Sequence, residues 1–196
     1  AIPPTVTKVP DEVDLTDAAF VTVGGIALQG IRRSGLQIGE WVVIYGLGLV
    51  GQLAAQIALA AGARVIGIDV STDRTELAGR VGIKHTVLAG ESDPVASVLH
   101  MTGGKGADRT IMCAVSNDTA IANNAMKMTR KQGKVTFIGL VKMDLERMPF
   151  FLNELDLSFS RAYGPGSYDD AYEKGQVDYP YQYVRWTEHR NLDEVI

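Results

Sequence analysis

What the chain lacks narrows its reading before any motif is found. Its 196 residues hold one cysteine, Cys113, which excludes an internal disulfide and fits a reducing cytoplasm. Its three histidines, His85, His100 and His189, fall in separate elements without ligand spacing, which argues against a metal cluster. There is no basic excess: the formal charge is −4 and the isoelectric point is near 5.4. Neither nucleic acid nor an acidic membrane surface is therefore an expected partner. No uninterrupted apolar run reaches the roughly 18 residues of a membrane span, and the opening AIPPTVTKVP lacks the charged-then-apolar pattern of a signal sequence. A soluble cytoplasmic protein is expected. The hydrophobic share, 46%, is ordinary for a globular chain and suffices for a core.

What is present centres on Trp41 to Asp69, WVVIYGLGLVGQLAAQIALAAGARVIGID. Trp41 to Tyr45 are β-branched or aromatic and uncharged, the pattern of a strand buried on both faces. Gly46, Gly48 and Gly51 follow in G-x-G-x-x-G spacing. Leu49 to Ala61 then reads as a helix closed by Gly62, and Arg64 to Ile68 as a second strand ending at Asp69. Gly46 permits a tight strand-to-helix turn, Gly48 lets the backbone approach a pyrophosphate, and Gly51 lets helix and strand pack closely. The helix N-terminus favours phosphate. Asp69, about 20 residues beyond the glycines, can accept from both hydroxyls of an adenosine ribose. Strand, turn, helix, strand and acid together predict dinucleotide binding.

Ala1 to Asp14, with Pro3, Pro4 and Pro10, looks extended, the expected tail of a preceding domain. Thr16-Asp17 can cap a helix from Ala18 to Ser34. Gly24 and Gly25 inside it each cost about 1 kcal/mol of helix propensity, so a break or a close approach is expected there. Beyond Asp69 the pattern gives a helix capped by Ser71 or Thr72 and stopped at Gly82, a strand at Lys84–Leu88, and a helix from Ser92-Asp93-Pro94. A strand at Ala107–Val115, a helix at Asn117–Met128 and a strand ending near Gly139 follow. A short helix near Pro149–Glu154, a sixth strand at Asp156–Ser160 and a helix from Asn191 complete it. Strands alternating with helices predict an α/β doubly wound parallel sheet, a Rossmann fold in three layers.

Other residues invite a chemical role and are read more plainly. Cys113 lies in an apolar run with no basic neighbour, so a buried inert thiol is expected. Gly103-Gly104-Lys105-Gly106 lacks the G-x-x-x-x-G-K-[ST] pattern and precedes a strand, so it reads as a turn. Met126, Met128, Met143 and Met148 read as core or interface filler. The tyrosine-rich stretch from Tyr163 to Trp186 has two readings, an ordered lip against another domain or subunit, and a stacking surface for a sugar-like substrate.

The segments AAFVTVGGIALQG, GEWVVIYGLGLVGQLAAQIALAAGARVIGIDVSTDRTELAGRVG, GADRTIMCAVSN and GKVTFIGL together resemble the medium-chain dehydrogenase/reductase superfamily, which includes zinc-type alcohol dehydrogenases and quinone reductases. The resemblance runs from about Ala18 to Ser160 and covers only that family's nucleotide-binding domain. The tail from Asp144 resembles bacterial bi-domain oxidoreductases, in which a medium-chain half is fused to a glucose–fructose-oxidoreductase-like half. The implied organisation is residues 1–17 as the remnant of a catalytic domain, 18–160 as the dinucleotide-binding domain, and 161–196 as an extension leading back to the catalytic domain. The resemblance implies cofactor contacts from Gly46, Leu47, Gly48, Leu49, Val50, Gly51, Asp69, Val70 and Arg74. It also implies a nicotinamide lining from Ala114, Val115, Gly139 and Leu140. No catalytic residue is carried over. Zinc-dependent relatives place a cysteine ligand in the segment matching Ala19 to Gly25, where this chain has Val21, so no metal site is expected and a zinc-free parent is favoured. In relatives the strand matching Asp156–Ser160 pairs across a two-fold, which implies a homodimer.

The expected cofactor is NAD. An acid at the end of the second strand accepts from a 2′-hydroxyl and repels a 2′-phosphate, with about 4 kcal/mol per charge pair at 4 Å before solvation offsets it. Arg74 points the other way, unless it pairs with Asp73 or Glu76. The implied activity is hydride transfer between nicotinamide and an alcohol, carbonyl or activated alkene, with this piece inactive alone. Two alternatives stand: an NADP-linked quinone or enoyl reductase domain, and a non-catalytic nucleotide sensor module.

Overall fold

The computed structural model describes residues 5–175 and 177–196, so Pro3 and Pro4 of the expected extended opening lie outside the described residues. Two helices, α1 (Leu15–Ala18) and α2 (Val21–Ser34), precede the first strand. Then follow β1 (Trp41–Tyr45), α3 (Leu49–Ala60), β2 (Arg64–Asp69), α4 (Thr72–Arg80), β3 (His85–Leu88) and α5 (Pro94–Met101). The second half holds β4 (Ala107–Met112), α6 (Thr119–Met128), β5 (Thr129–Phe137), α7 (Arg147–Leu152), β6 (Asp156–Phe159), α8 (Asp170–Glu173) and α9 (Glu188–Val195).

The six strands form one sheet in the order β3-β2-β1-β4-β5-β6, with every neighbouring pair parallel. This is the expected doubly wound α/β sheet. The two-residue alternation of each strand splits the core into two layers. Val42, Ile44 and Ile111 face α2, α3 and α4 through Ala27, Ile31, Ala54, Ala55, Ala58 and Ala78. Val43, Ile66 and Met112 face α5 and α6 through Val98, Ala122, Ala125 and Met126. Both faces are buried, which is why the strands read as continuous apolar runs.

Local signals decide most element ends. Asp93 and Asp118 accept from the first N–H groups of α5 and α6, as N-caps do. Gly62 closes α3 with φ +83°, the left-handed conformation a glycine adopts most cheaply. The expected strand over Ala107–Val115 is shorter, because the chain leaves the sheet after Met112 and Cys113 N–H and Ala114 N–H both bond to the Tyr45 carbonyl. β5 starts earlier than expected, at Thr129, and absorbs Lys131-Gln132-Gly133 as an irregularity in its pairing with β4, with Gln132 at φ +55°. Its Thr129 is held to Thr110 by a buried hydroxyl pair at 2.7 Å.

The largest corrections come where sequence-local reasoning could not see a distant partner. The expected single helix from Ala18 breaks at Ala19-Phe20, while α2 runs unbroken through Gly24 and Gly25. Those glycines mark a close approach: a Cβ on Gly24 would overlap the Val195 side chain, and one on Gly25 would stand 3.0 Å from Leu192 Cδ2. The partner is α9, which begins at Glu188, one turn before the expected Asn191. The two helices are joined by Asn191, fully buried, whose side chain donates to Gln29 Oε1 at 3.2 Å and to the Tyr163 carbonyl at 2.5 Å and accepts from Arg32. Trp186 lies against the guanidinium groups of Arg32 and Arg185, 3.3 and 3.6 Å from its ring centre.

The tyrosine-rich stretch is thus partly internal. Tyr172 is buried and stacks on Tyr179, whereas Tyr168, Tyr181 and Tyr183 are exposed. Met126 and Met128 are core, and Met143 and Met148 are at the surface. Among the described residues no helix is long and apolar enough to cross a membrane. Asn191→Ala removes the amide that bonds the Gln29 side chain and the Tyr163 carbonyl and accepts from Arg32, which keeps Trp186 and Glu194. It is therefore expected to lower stability by about 2–3 kcal/mol. Urea unfolding of the two chains measures this, and a change within about 0.5 kcal/mol, the range of neutral surface substitutions, would contradict the α2–α9 joint.

Candidate functional site

The strand order reverses between β2-β1 and β4, and the crevice at the carboxyl ends of these strands is where open α/β sheets bind ligands. Here it is a cavity of about 460 Å³ lined by Tyr45, Gly46, Gly48, Asp69, Val70, Arg74, Cys113, Ala114, Val115, Ser116 and Ile121. Seven of these residues, Gly46, Gly48, Asp69, Val70, Arg74, Ala114 and Val115, were expected from sequence. The size suits a small molecule or part of a larger one.

The glycine turn is built for closeness. Gly46 has φ +96°, its N–H donates to the Ile68 carbonyl at 2.7 Å, and a Cβ there would meet the Ala114 backbone. A Cβ on Gly51 would overlap the Gly46 carbonyl oxygen. Gly48 differs: it caps α3 at φ −67°, a conformation open to any residue, and nothing of the chain lies within 4 Å of where its Cβ would stand. Its bareness therefore serves no internal packing and leaves open space at the N-terminus of α3. The first intrahelical bond there is Gln52 N–H to the Gly48 carbonyl at 2.8 Å, so the preceding N–H groups and the positive end of the helix dipole are offered to an anion.

Asp69 sits at the other end of the crevice, only 5% exposed. Its Oδ2 accepts from Leu47 N–H at 2.7 Å and its Oδ1 from Ser71 N–H at 2.9 Å. Arg74 Nη1 lies 3.5 Å from the same Oδ2, on a side chain more than half exposed. Arg74 thus pairs with Asp69, and not with Asp73 or Glu76, the partners that would have left it a plain surface residue. A carboxylate has about four lone-pair sites, so acceptor capacity remains after two backbone bonds.

The remaining expected site residues lie around rather than in the cavity. Leu47 is fully buried and packs on Gly67, and its backbone rather than its side chain faces Asp69. Leu49 and Val50 form the first turn of α3, with Leu49 half-exposed. Gly139 packs on the Cys113–Ala114 backbone, and the Leu140 carbonyl accepts from Ser116 N–H at 2.9 Å while its side chain stands in solvent. Val70, Val115 and Leu140 are each more than 70% exposed, leaving apolar surface bare at the mouth.

Sequence reasoning missed Tyr45, Cys113, Ser116 and Ile121 as lining residues. Tyr45 and Cys113 were legible only as core, because strand periodicity does not show which residue is last before the crevice. Burial raises the Tyr45 hydroxyl above the ordinary phenol range, a hydrogen bond to Asn124 opposing it. Cys113 is only half-buried as a residue, but its thiol is shielded from water, which pushes it up to about 12. Among the described residues no three His, Cys, Asp or Glu side chains stand close enough to hold a metal ion.

A family-wide profile described as zinc-binding dehydrogenase matches residues 50–175. The chain belongs to that family. It is 32% identical over 179 residues to 2-dehydro-3-deoxy-L-galactonate 5-dehydrogenase of Pseudoalteromonas atlantica, covering 89% of this chain and 52% of that protein. It is 31% identical over 147 residues to an alcohol dehydrogenase of Geobacillus stearothermophilus, covering 74% and 42%. A Sinorhizobium meliloti protein solved bound to NADP has the same fold with a TM-score of 0.71 at 24% identity, over 88% of this chain and 53% of that one. The chain spans about half the length of the curated relatives it matches. The zinc in the family's name finds no ligand set among the described residues.

With its thiol at about 12, Cys113 holds only about one part in 10⁴ thiolate at pH 8. Iodoacetamide at pH 8 is therefore expected to leave the folded chain unmodified over hours and to label it in minutes in urea, as read by mass spectrometry. Equal labelling rates in the two conditions would contradict the shielding.

Proposed function

We propose that this chain is the NAD(H)-binding domain of an alcohol dehydrogenase-like oxidoreductase. The observation that carries the reading is Asp69: a carboxylate fixed at the end of β2 by two backbone N–H groups, facing the same crevice as the bare Gly48 at the start of α3. The residues present fit a dinucleotide. Gly46, Gly48 and the first turn of α3 would hold the pyrophosphate, and Asp69 would accept from the ribose hydroxyls of the adenosine half. Val70 would cover the adenine, and Ala114, Val115, Gly139 and Leu140 would line the nicotinamide side. The bound nicotinamide would supply the hydride acceptor or donor for an alcohol, carbonyl or activated alkene. The chain's own part is to orient that ring and to shield one of its faces from water. Groups that move protons and touch substrate would come from a catalytic domain of which residues 1–17 are the last segment, with 18–160 as the binding domain and 161–196 as the extension leading back. This piece alone would bind cofactor and turn over little. The edge strand β6 would pair with its copy in a homodimer, and the lone cysteine fits a reducing cytoplasm.

One observation favours a second reading. Arg74 lies 3.5 Å from Asp69 and lines the crevice, and guanidinium is a good partner for a 2′-phosphate. The Sinorhizobium meliloti protein of the same fold was bound to NADP. An NADP-linked reductase is the alternative this supports.

Titration with NADH and NADPH, followed by nicotinamide fluorescence, separates the two. NADH is expected to bind more tightly than NADPH. Asp69→Asn is expected to weaken NADH by about tenfold, 1.4 kcal/mol, and to narrow the gap to NADPH. Asp69→Ala is expected to do the same and, by stranding the Leu47 N–H, to cost a further 1–3 kcal/mol, roughly, of stability. Tighter NADPH binding by the unchanged chain would favour the second reading, and no binding of either would contradict both.

A further inference from the structure

The hydrogen bonds beneath the ribose end of the crevice close into a circuit. Leu47 N–H donates to Asp69 Oδ2 at 2.7 Å. The Leu47 carbonyl in turn accepts from Gln52 Nε2 at 3.2 Å. The same Nε2 donates its other hydrogen to the Arg74 carbonyl at 2.8 Å. Arg74 Nη1 completes the loop 3.5 Å from Asp69 Oδ2. Gln52 stands next to Gly51 on α3 and is 7% exposed. Its amide orientation is settled by chemistry, since both contacts of Nε2 are carbonyl oxygens and only a donor can meet them. Oε1 is buried and has no partner among the described residues. A buried acceptor without a donor raises the free energy of the fold, so the two donated bonds are what hold this amide in place.

The circuit is not equally stiff throughout. Asp69 is fixed by two backbone N–H groups whatever Gln52 does. Leu47 is fully buried in the core. Arg74 is the loose member: its side chain is more than half exposed and its guanidinium meets only one carboxylate oxygen, at long range. What places it is the position of its backbone, and Gln52 grips that backbone. We propose that Gln52 is the positioning residue for selectivity at the 2′ position of the adenosine ribose. By fastening the first turn of α4 to the glycine turn, it holds the Arg74 guanidinium over Asp69. There the cation offsets the carboxylate's repulsion of a 2′-phosphate and offers it a partner. The inference rests on the dinucleotide-binding reading above and adds the residue that tunes it.

The test is a double-mutant cycle on the ratio of the NADPH and NADH dissociation constants. The chains compared are the unchanged protein, Gln52→Met, Arg74→Ala and the double variant. Met keeps the length and packing of the side chain and removes both donors. Each single change is expected to raise the ratio about tenfold, mainly by weakening NADPH. The double variant is expected to match the larger single change, because both act through one guanidinium. Gln52→Leu, read in the same way, replaces Gln52→Met if the methionine variant does not fold. A Gln52 variant that weakens both cofactors in equal proportion would overturn the inference while leaving dinucleotide binding intact, as would two changes that multiply. If the unchanged chain binds neither cofactor, the dinucleotide reading falls and this one with it.

Discussion

Everything at the crevice depends on a buried carboxylate holding a turn by its backbone. Asp69 leaves the end of β2 almost wholly shielded from water, and Leu47, in the middle of the glycine turn, gives it an N–H at 2.7 Å. That bond ties the end of one strand to the loop that leaves its neighbour. It fixes where α3 starts, and with it the direction in which the helix's free N–H groups point. A carboxylate in so dry a place is strongly attracted to any donor that reaches it, and it repels a second negative charge. The same group therefore builds the turn and sets the sign of what can approach it.

Around this constraint the glycines divide by purpose. Gly46 and Gly51 are needed by the fold itself, since a Cβ on either would strike neighbouring backbone. Gly48 is not needed by the fold, and the space it leaves opens outward. Gly24 and Gly25 belong to a third class, serving the packing of α9 on α2 far along the chain. That packing matters to the crevice indirectly. α2 covers the face of the sheet that also carries α3, and the buried Asn191 keeps the last helix seated on it.

Much of this was legible in the sequence, for identifiable reasons. Strands that are apolar throughout, glycine-closed helices and aspartate caps are local signals, and they gave the α/β alternation and the sheet. The G-x-G-x-x-G turn and Asp69 were legible because their spacing is itself the geometric requirement. What stayed hidden depended on partners distant in sequence. Gly24-Gly25 suggested a break or a close approach, and only α9 decides between them. α9 starts at Glu188, three residues before the expected Asn191; Glu188, a charged residue at a buried position, gives no apolar signal. The ends of β4 and β5 were misplaced because the Tyr45 carbonyl draws Cys113 and Ala114 off the sheet and a bulge lets β5 pair from Thr129. Tyr45 and Cys113 read as core and stand at the crevice floor. Gln52, one residue past the fingerprint, carried no spacing signal at all. Its role is visible only where its amide meets two carbonyls from different elements.

The central claim is that the Asp69 carboxylate holds the glycine turn through the Leu47 amide. Residue-resolved amide hydrogen exchange of the unchanged chain and of Asp69→Ala tests it most directly. The account predicts that Leu47 N–H exchanges as slowly as the amides of β1 in the unchanged chain. In Asp69→Ala it is predicted to exchange at least about tenfold faster, 1.4 kcal/mol of lost protection, while the β1 amides keep theirs. A Leu47 amide that exchanges at the same slow rate in both chains would contradict it.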